Sequence, residues 1–320
     1  MTRVALITGA IVAVLADHLM ADATAVHVAL IALGLVLGVP HGSVDHLLAA
    51  DVLAVRAVTA TVGYAALAAA AWTVLHWGGA LPLALMIVAS IVHFGLGEVE
   101  TMDIPFGTSV FRRTALLLTG AGALVLPLAR GGPGWDETLR TLSPSLADLF
   151  SSGTIRFVLI GIWAASALVS AHLLVVERRW LILVDLAVIG VVGSVVAPLV
   201  AFALWFGLWH GPRHIARLVA RELADDRRSS TTRQAWMATI RHAVPATLGA
   251  YATLAAVVGV VVGYGSTTGA VAMAIVVLLA LTAPHMIVVA AMDSAAHRRR
   301  RRVDTTPERP PRASRVSVTG

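Results

Sequence analysis

Long apolar runs, broken at short intervals by arginine, glycine or proline, dominate the chain. A helix that crosses a bilayer needs about 20 apolar residues, because each residue rises about 1.5 Å through a hydrocarbon core about 30 Å thick. On that measure the pattern predicts ten spans, at approximately 4–20, 24–40, 52–75, 80–97, 110–130, 155–176, 180–196, 198–220, 240–263 and 268–292. The least marked boundary lies near Pro198, where only Gly193, Ser194 and Pro198 punctuate an apolar stretch that reaches Trp209. Arg3 followed by an apolar run resembles the start of a signal peptide. The next run begins almost at once, so a retained first helix is expected. The fold class is therefore all-α: a polytopic transmembrane helical bundle of about ten helices.

Composition agrees with this and narrows the chemistry. Hydrophobic residues make up 58% of the chain, charged residues 13%, and the mean hydropathy is +0.84. A soluble domain carries about 25% charged residues. The absence of cysteine excludes disulfides, thiolate metal sites and cysteine nucleophiles. All 24 basic residues are arginine, so no lysine is present to hold an aldehyde as a Schiff base.

The arginines also orient the bundle. With ten helices and both termini cytoplasmic, only Arg130, Arg140 and Arg156 fall outside, which is the asymmetry expected of cytoplasmic loops. Residues 131–153 then form a long outer loop, with Ser145 to Phe150 a candidate interfacial helix. Residues 217–241 form a long inner loop, helical at first and polar thereafter. A single transmembrane domain over 1–297 is expected, followed by a basic, disordered cytoplasmic tail over 298–320.

Histidine carries the candidate chemistry. The segment Gly38-Val39-Pro40-His41-Gly42-Ser43-Val44-Asp45-His46 places two histidines and a carboxylate directly after an apolar run, where Pro40 and Gly42 break the helix. Ionisable groups at such depth are costly unless paired, protonated or bound to something. His210 and His214, at i and i+4, share one helix face, a spacing that gives two ligands to one metal. Four residues back stands Phe206 and then Phe202, so an aromatic stripe leads from the pair toward the bilayer centre; ordinary core packing explains such a stripe equally well. His93 lies in Val92-His93-Phe94-Gly95 and His285 in Pro284-His285-Met286. His18, His27, His76 and His297 fall at helix ends or loops, His242 sits beside Arg241, and His172 has no partner nearby in sequence. These six read as structural. The arginine distribution puts His41, His93, His210, His214 and His285 at one leaflet. A nitrogen-rich group at one depth suits iron, zinc or copper.

Taken in order, Pro40-His41-Gly42-x-x-Asp45-His46, His93-Phe94-Gly95, Trp209-His210-x-x-x-His214 and Pro284-His285-Met286 resemble the Brp/Blh family of membrane β-carotene 15,15′-dioxygenases over about residues 25–292. The resemblance implies a helical membrane enzyme in which Fe(2+), held by four histidines, uses O2 to cleave β-carotene at its central 15,15′ double bond into two retinals. Residue by residue, it implies His41, His93, His210 and His214 as the catalytic iron ligands. Asp45, His46, Glu98 and His285 would stand behind the ligands or line the pocket, Glu98 occurring where the family often has aspartate. Asp45 would orient a ligand imidazole through its second N–H. Phe202, Trp205, Phe206 and Trp209 would wall an apolar slot open to the bilayer. The implied partners are β-carotene, O2 and lipid, with no nucleic acid and with a rhodopsin as a candidate recipient of retinal. The implied location is the cell (inner) membrane, spanned many times.

Two other classes compete. A membrane di-iron hydroxylase or desaturase needs about eight histidines in dense boxes, and this chain offers one HxxxH and one HxxxxH. A proton or metal transporter spaces its carboxylates and histidines through both leaflets, whereas here they gather at one depth.

Overall fold

The computed structural model describes residues 1–102, 109–223 and 231–304. Residues 224–230 of the predicted inner loop, residues 305–320 of the predicted tail and the side chain of His297 lie outside the described residues. Among those described there is no strand, and the fold is an all-α bundle. The helices are α1 (Thr2–Leu19), α2 (Thr24–Gly38), α3 (Asp45–Leu53), α4 (Ala57–Trp77), α5 (Ala80–Thr101), α6 (Val110–Gly120), α7 (Gly122–Arg130), α8 (Pro133–Leu142), α9 (Pro144–Ser151), α10 (Gly153–Val176), α11 (Trp180–Val195), α12 (Pro198–Trp205), α13 (Gly211–Leu223), α14 (Thr232–Gly263) and α15 (Thr267–Asp304).

Among the described residues, seven helical stretches are long and apolar enough to cross a membrane, and α6 with α7 makes an eighth if their 58° bend is counted within one span. Each predicted segment is largely helical, but the 52–75 segment starts in α3 and crosses the turn at 54–56 into α4, and three others are not simple rods. The 110–130 segment breaks between Gly120 and Gly122, and the Thr119 carbonyl at the break accepts a hydrogen bond from Trp163 Nε1 at 3.2 Å. A Cβ at Gly122 would sit 2.5 Å from that same indole nitrogen, so the close approach requires glycine. The 180–196 segment is a helix of 16 residues, closed by extended backbone at Val196 and by Pro198, which opens α12. Arg130 caps its end by donating to the carbonyls of Ser194 (2.7 Å) and Val196. The third, 198–220, carries a π turn over Phe206–His210.

Residues 131–153, predicted to form the outer loop, contain two helices. The anticipated one is α9, whose start is capped by the Ser143 hydroxyl accepting from the Leu146 N–H. The other, α8, starts at Pro133 after Gly132 and turns Leu139 inward against Leu83 and Leu146. At the far end α15 runs on to Asp304, past the position where the tail was expected to begin.

Large apolar side chains cover the outside of the bundle. None of the most apolar window of α14 is buried, and only 6% of that of α4 is. Faces of this size would drive aggregation in water, whereas lipid solvates them. In lipid, helices associate by close packing and polar contacts rather than by the hydrophobic effect. The α2–α12 contact follows that rule: a Cβ at Gly34 would lie 2.2 Å from the Ala203 carbonyl oxygen, and one at Gly38 would lie 2.2 Å from the Phe206 ring. Gly34 and Gly38, four apart on one face, thus let α2 lie directly on α12 and the π turn. This contact brings the Pro40-His41 segment up to His210.

Candidate metal centre

Pro40 has no N–H to give the Val36 carbonyl, which would otherwise lose its helical partner. The Tyr251 hydroxyl of α14 donates to that carbonyl instead. The chain tightens into a 3-10 turn over Val39–Gly42 and then restarts as α3 at Asp45. His41 points inward from this turn and is buried. Its Nδ1 donates to the Gly38 carbonyl, which leaves Nε2 as the ring's lone-pair nitrogen.

From the other side, Phe202, Phe206, His210 and His214 form a ladder of nearly parallel rings. Successive centroids lie 5.7, 6.5 and 6.3 Å apart, with interplanar angles of 15°, 12° and 19°. The predicted stripe therefore exists, and the π turn does not interrupt it. His93 comes from α5, where Gly95 lets α6 approach: a Cβ there would meet the Leu117 carbonyl oxygen at 2.5 Å. His285 comes from α15.

Five imidazoles meet. The His41 ring lies 5.2 Å from His210, 5.5 Å from His214 and 4.7 Å from His285. His93 lies 5.9 Å from His210 and 4.9 Å from His285, and His214 lies 5.3 Å from His285. All five are buried, with exposures of 3–9%. The Nε2 atoms of His93, His210, His214 and His285 are buried without a hydrogen-bond partner. Buried polar atoms are seldom left so, and buried imidazole nitrogens without protein partners suit metal coordination. Ligand atoms of His41, His210 and His285 lie within 4.8 Å of one another, and so do those of Asp45, His214 and His285. These donors fit a borderline divalent metal such as iron.

The residues expected behind the ligands divide three ways. Asp45 is fully buried at the start of α3, and its Oδ2 accepts from His285 Nδ1 at 2.6 Å. Tyr64 of α4, not singled out from the sequence, places its hydroxyl 3.2 Å from that same oxygen and 3.2 Å from the Leu281 carbonyl. A phenol in the middle of an apolar helix was the signal available for it. His46 stays outside the ring of imidazoles and lines the adjoining cavity. Glu98 turns away from the histidines: its carboxylate accepts from Trp209 Nε1 at 3.0 Å and from Arg213 Nη1 at 3.2 Å. Arg213 also donates to Asp185 at 2.8 Å and stacks over Trp209 at 3.7 Å, while Arg3 pairs with the other oxygen of Asp185.

The aromatic residues divide as well. Trp205 and Trp209, expected to wall the slot, are fully buried in the main core with Leu6, Leu186 and Ile189. Phe202 and Phe206 do line cavities. One, of about 410 Å³, is bounded by His41, His46, Tyr64, Phe206, Leu281 and His285. A second, of about 170 Å³, runs between α2, α12, α14 and α15 along Ile31, Leu35, Phe202 and Leu254. Two smaller ones, of about 90 and 50 Å³, meet it at Phe202. Leu278 borders all four.

A buried group of histidines that could hold a metal, beside cavities and inside a helical bundle clothed for lipid, suits a membrane enzyme that acts on apolar ligands. The family model for β-carotene 15,15′-dioxygenase matches residues 28–293, and the chain belongs to that family of enzymes. No curated protein matches the chain, and no solved structure does.

Proposed function

We propose that this chain holds one Fe(2+) among its converging histidines and splits the central 15,15′ double bond of β-carotene with O2, giving two molecules of retinal. The observation that carries the reading is the set of buried, unpartnered imidazole nitrogens beside a cavity lined by His41, Tyr64, Phe206 and His285, which shares Val39, Ala250, Leu278 and Leu281 with a neighbouring cavity whose walls are almost wholly apolar. In the balanced reaction the central C=C bond breaks, and each of its carbons gains one oxygen atom of O2 as a carbonyl. Iron, when bound, would supply the site at which O2 is activated. His41, His93, His210 and His214 would hold it.

The protein's own part is binding and exclusion. A polyene offers no hydrogen-bonding groups, so an apolar slot positions it by shape. Phe202, Phe206 and Leu278 supply that shape, Phe206 and Leu278 also lining the cavity that holds His41 and His285. The imidazoles are shielded from water by the same helices that present them, which protects a reactive centre from side reactions. We further propose that the chain is a single catalytic membrane domain of the inner (cell) membrane with both termini cytoplasmic. An opsin in the same membrane would take up the retinal.

Expression in cells that accumulate β-carotene tests this reading. Loss of colour with retinal recovered by chromatography is the expected result. Persistent colour alongside abundant protein, with no retinal, would refute it.

A further inference from the structure

We propose that His285 is itself a ligand of the metal, locked in its coordinating orientation by Asp45, so that five histidines rather than four converge on the ion. This rests on the reading that the centre holds iron. The family resemblance leaves His285 outside the ligand set, but its position is central. Its ring is within 5.3 Å of three others, those of His41, His93 and His214. It also belongs to both of the close groups of ligand atoms, whereas His93 belongs to neither.

The hydrogen bonding fixes the tautomer. A carboxylate oxygen only accepts, so the nitrogen 2.6 Å from Asp45 Oδ2 carries the ring proton. The lone pair is then on Nε2, which is buried and has no partner. An imidazole whose far nitrogen is held by a carboxylate, with its near nitrogen free, is the usual arrangement behind a bound metal. His41 shows the same logic with a backbone carbonyl as its anchor.

The anchor is itself held. Asp45 stands in the first turn of α3, where the helix dipole favours a negative charge. The Tyr64 hydroxyl approaches the oxygen that His285 uses. Gly42 completes the arrangement, since a Cβ there would lie 3.2 Å from Asp45 Oδ2 and 3.5 Å from His285 Nδ1. The glycine of the Pro-His-Gly motif thus leaves room for an Asp–His pair drawn from segments 240 residues apart.

Cobalt(II) is the probe, because its visible absorption reports the number and type of its ligands. The full-length protein, stripped of metal in detergent, is titrated with cobalt alongside His285→Ala, Asp45→Asn and, as a control, His172→Ala. Wild type and His172→Ala are expected to bind one cobalt with the same spectrum. His285→Ala is expected to bind at least about 100-fold more weakly with an altered spectrum, partly restored by free imidazole. Asp45→Asn is expected to weaken binding by about 10–100-fold. Wild-type affinity and spectrum in folded His285→Ala, with binding lost in His41→Ala, would overturn the proposal. If His285→Ala fails to fold by circular dichroism, Asp45→Asn decides instead, and unchanged cobalt binding there overturns it. A wild type that binds no cobalt would sink the metal reading itself, and this inference with it.

Discussion

Two polar clusters within the bundle are built on opposite principles. In one, Arg3, Asp185, Arg213 and Glu98 join α1, α5, α11 and α13. Two positive charges meet two negative ones, and both oxygens of each carboxylate have a donor. In the other, Asp45, His285 and Tyr64 join α3, α4 and α15, and beyond them four Nε2 atoms and Asp45 Oδ1 are left without partners. Burial is equally deep: Glu98 is 1% exposed and Asp45 0%. Depth alone therefore does not separate structure from function. Satisfaction does. A closed network holds helices together, and an open one waits for something to bind.

Removing the open cluster's donors should have the largest effect. Substituting His41, His93, His210 or His214 with Ala should abolish retinal formation and lose the iron, as read by elemental analysis and product chromatography. Full iron content in any folded one of these variants would remove that residue from the ligand set.

The closed cluster should respond in the opposite way. Glu98→Ala leaves the half-buried Arg213 facing a single remaining acid. Breaking a buried pair from one side costs about 3 kcal/mol, so thermal unfolding in detergent should come markedly earlier, while the protein that stays folded keeps its iron. Loss of iron at unchanged stability would mean that Glu98 serves the metal after all and that the two clusters are not distinct.

The cavity wall should show the smallest effect. Phe202→Ala removes a ring shared by three cavities without touching a donor. KM for β-carotene should rise about tenfold with kcat within about twofold, the pattern of lost apolar binding. An unchanged KM would place the polyene elsewhere.

The sequence carried what is local. Apolar runs gave the helices, and the motifs His41-Gly42, His93-Phe94-Gly95 and His210-x-x-x-His214 gave the candidate donors. The ladder from Phe202 to His214 follows from a step of four along one helix and was readable as such. Partnership between distant segments was not. Glu98 follows a histidine motif closely enough to pass for a metal-site residue, and only the approach of α13 to α5 shows that it belongs to Arg213 and Trp209. Trp205 and Trp209 were indistinguishable from Phe202 and Phe206 as slot walls, because the choice between core and cavity depends on which neighbours each face meets. His285 looked peripheral for the same reason: its centrality appears only when α15 crosses the turn at Gly42. The bend at Gly120–Gly122 depends likewise on Trp163, a residue of another helix.

The iron content of the purified protein bears most directly on the central claim, that the unpartnered imidazoles form a single metal centre. Protein purified from iron-supplied cells and analysed for metals should contain one iron per chain. Two irons would point to a dinuclear hydroxylase-type centre, and none, in protein that still makes retinal, would contradict the account outright.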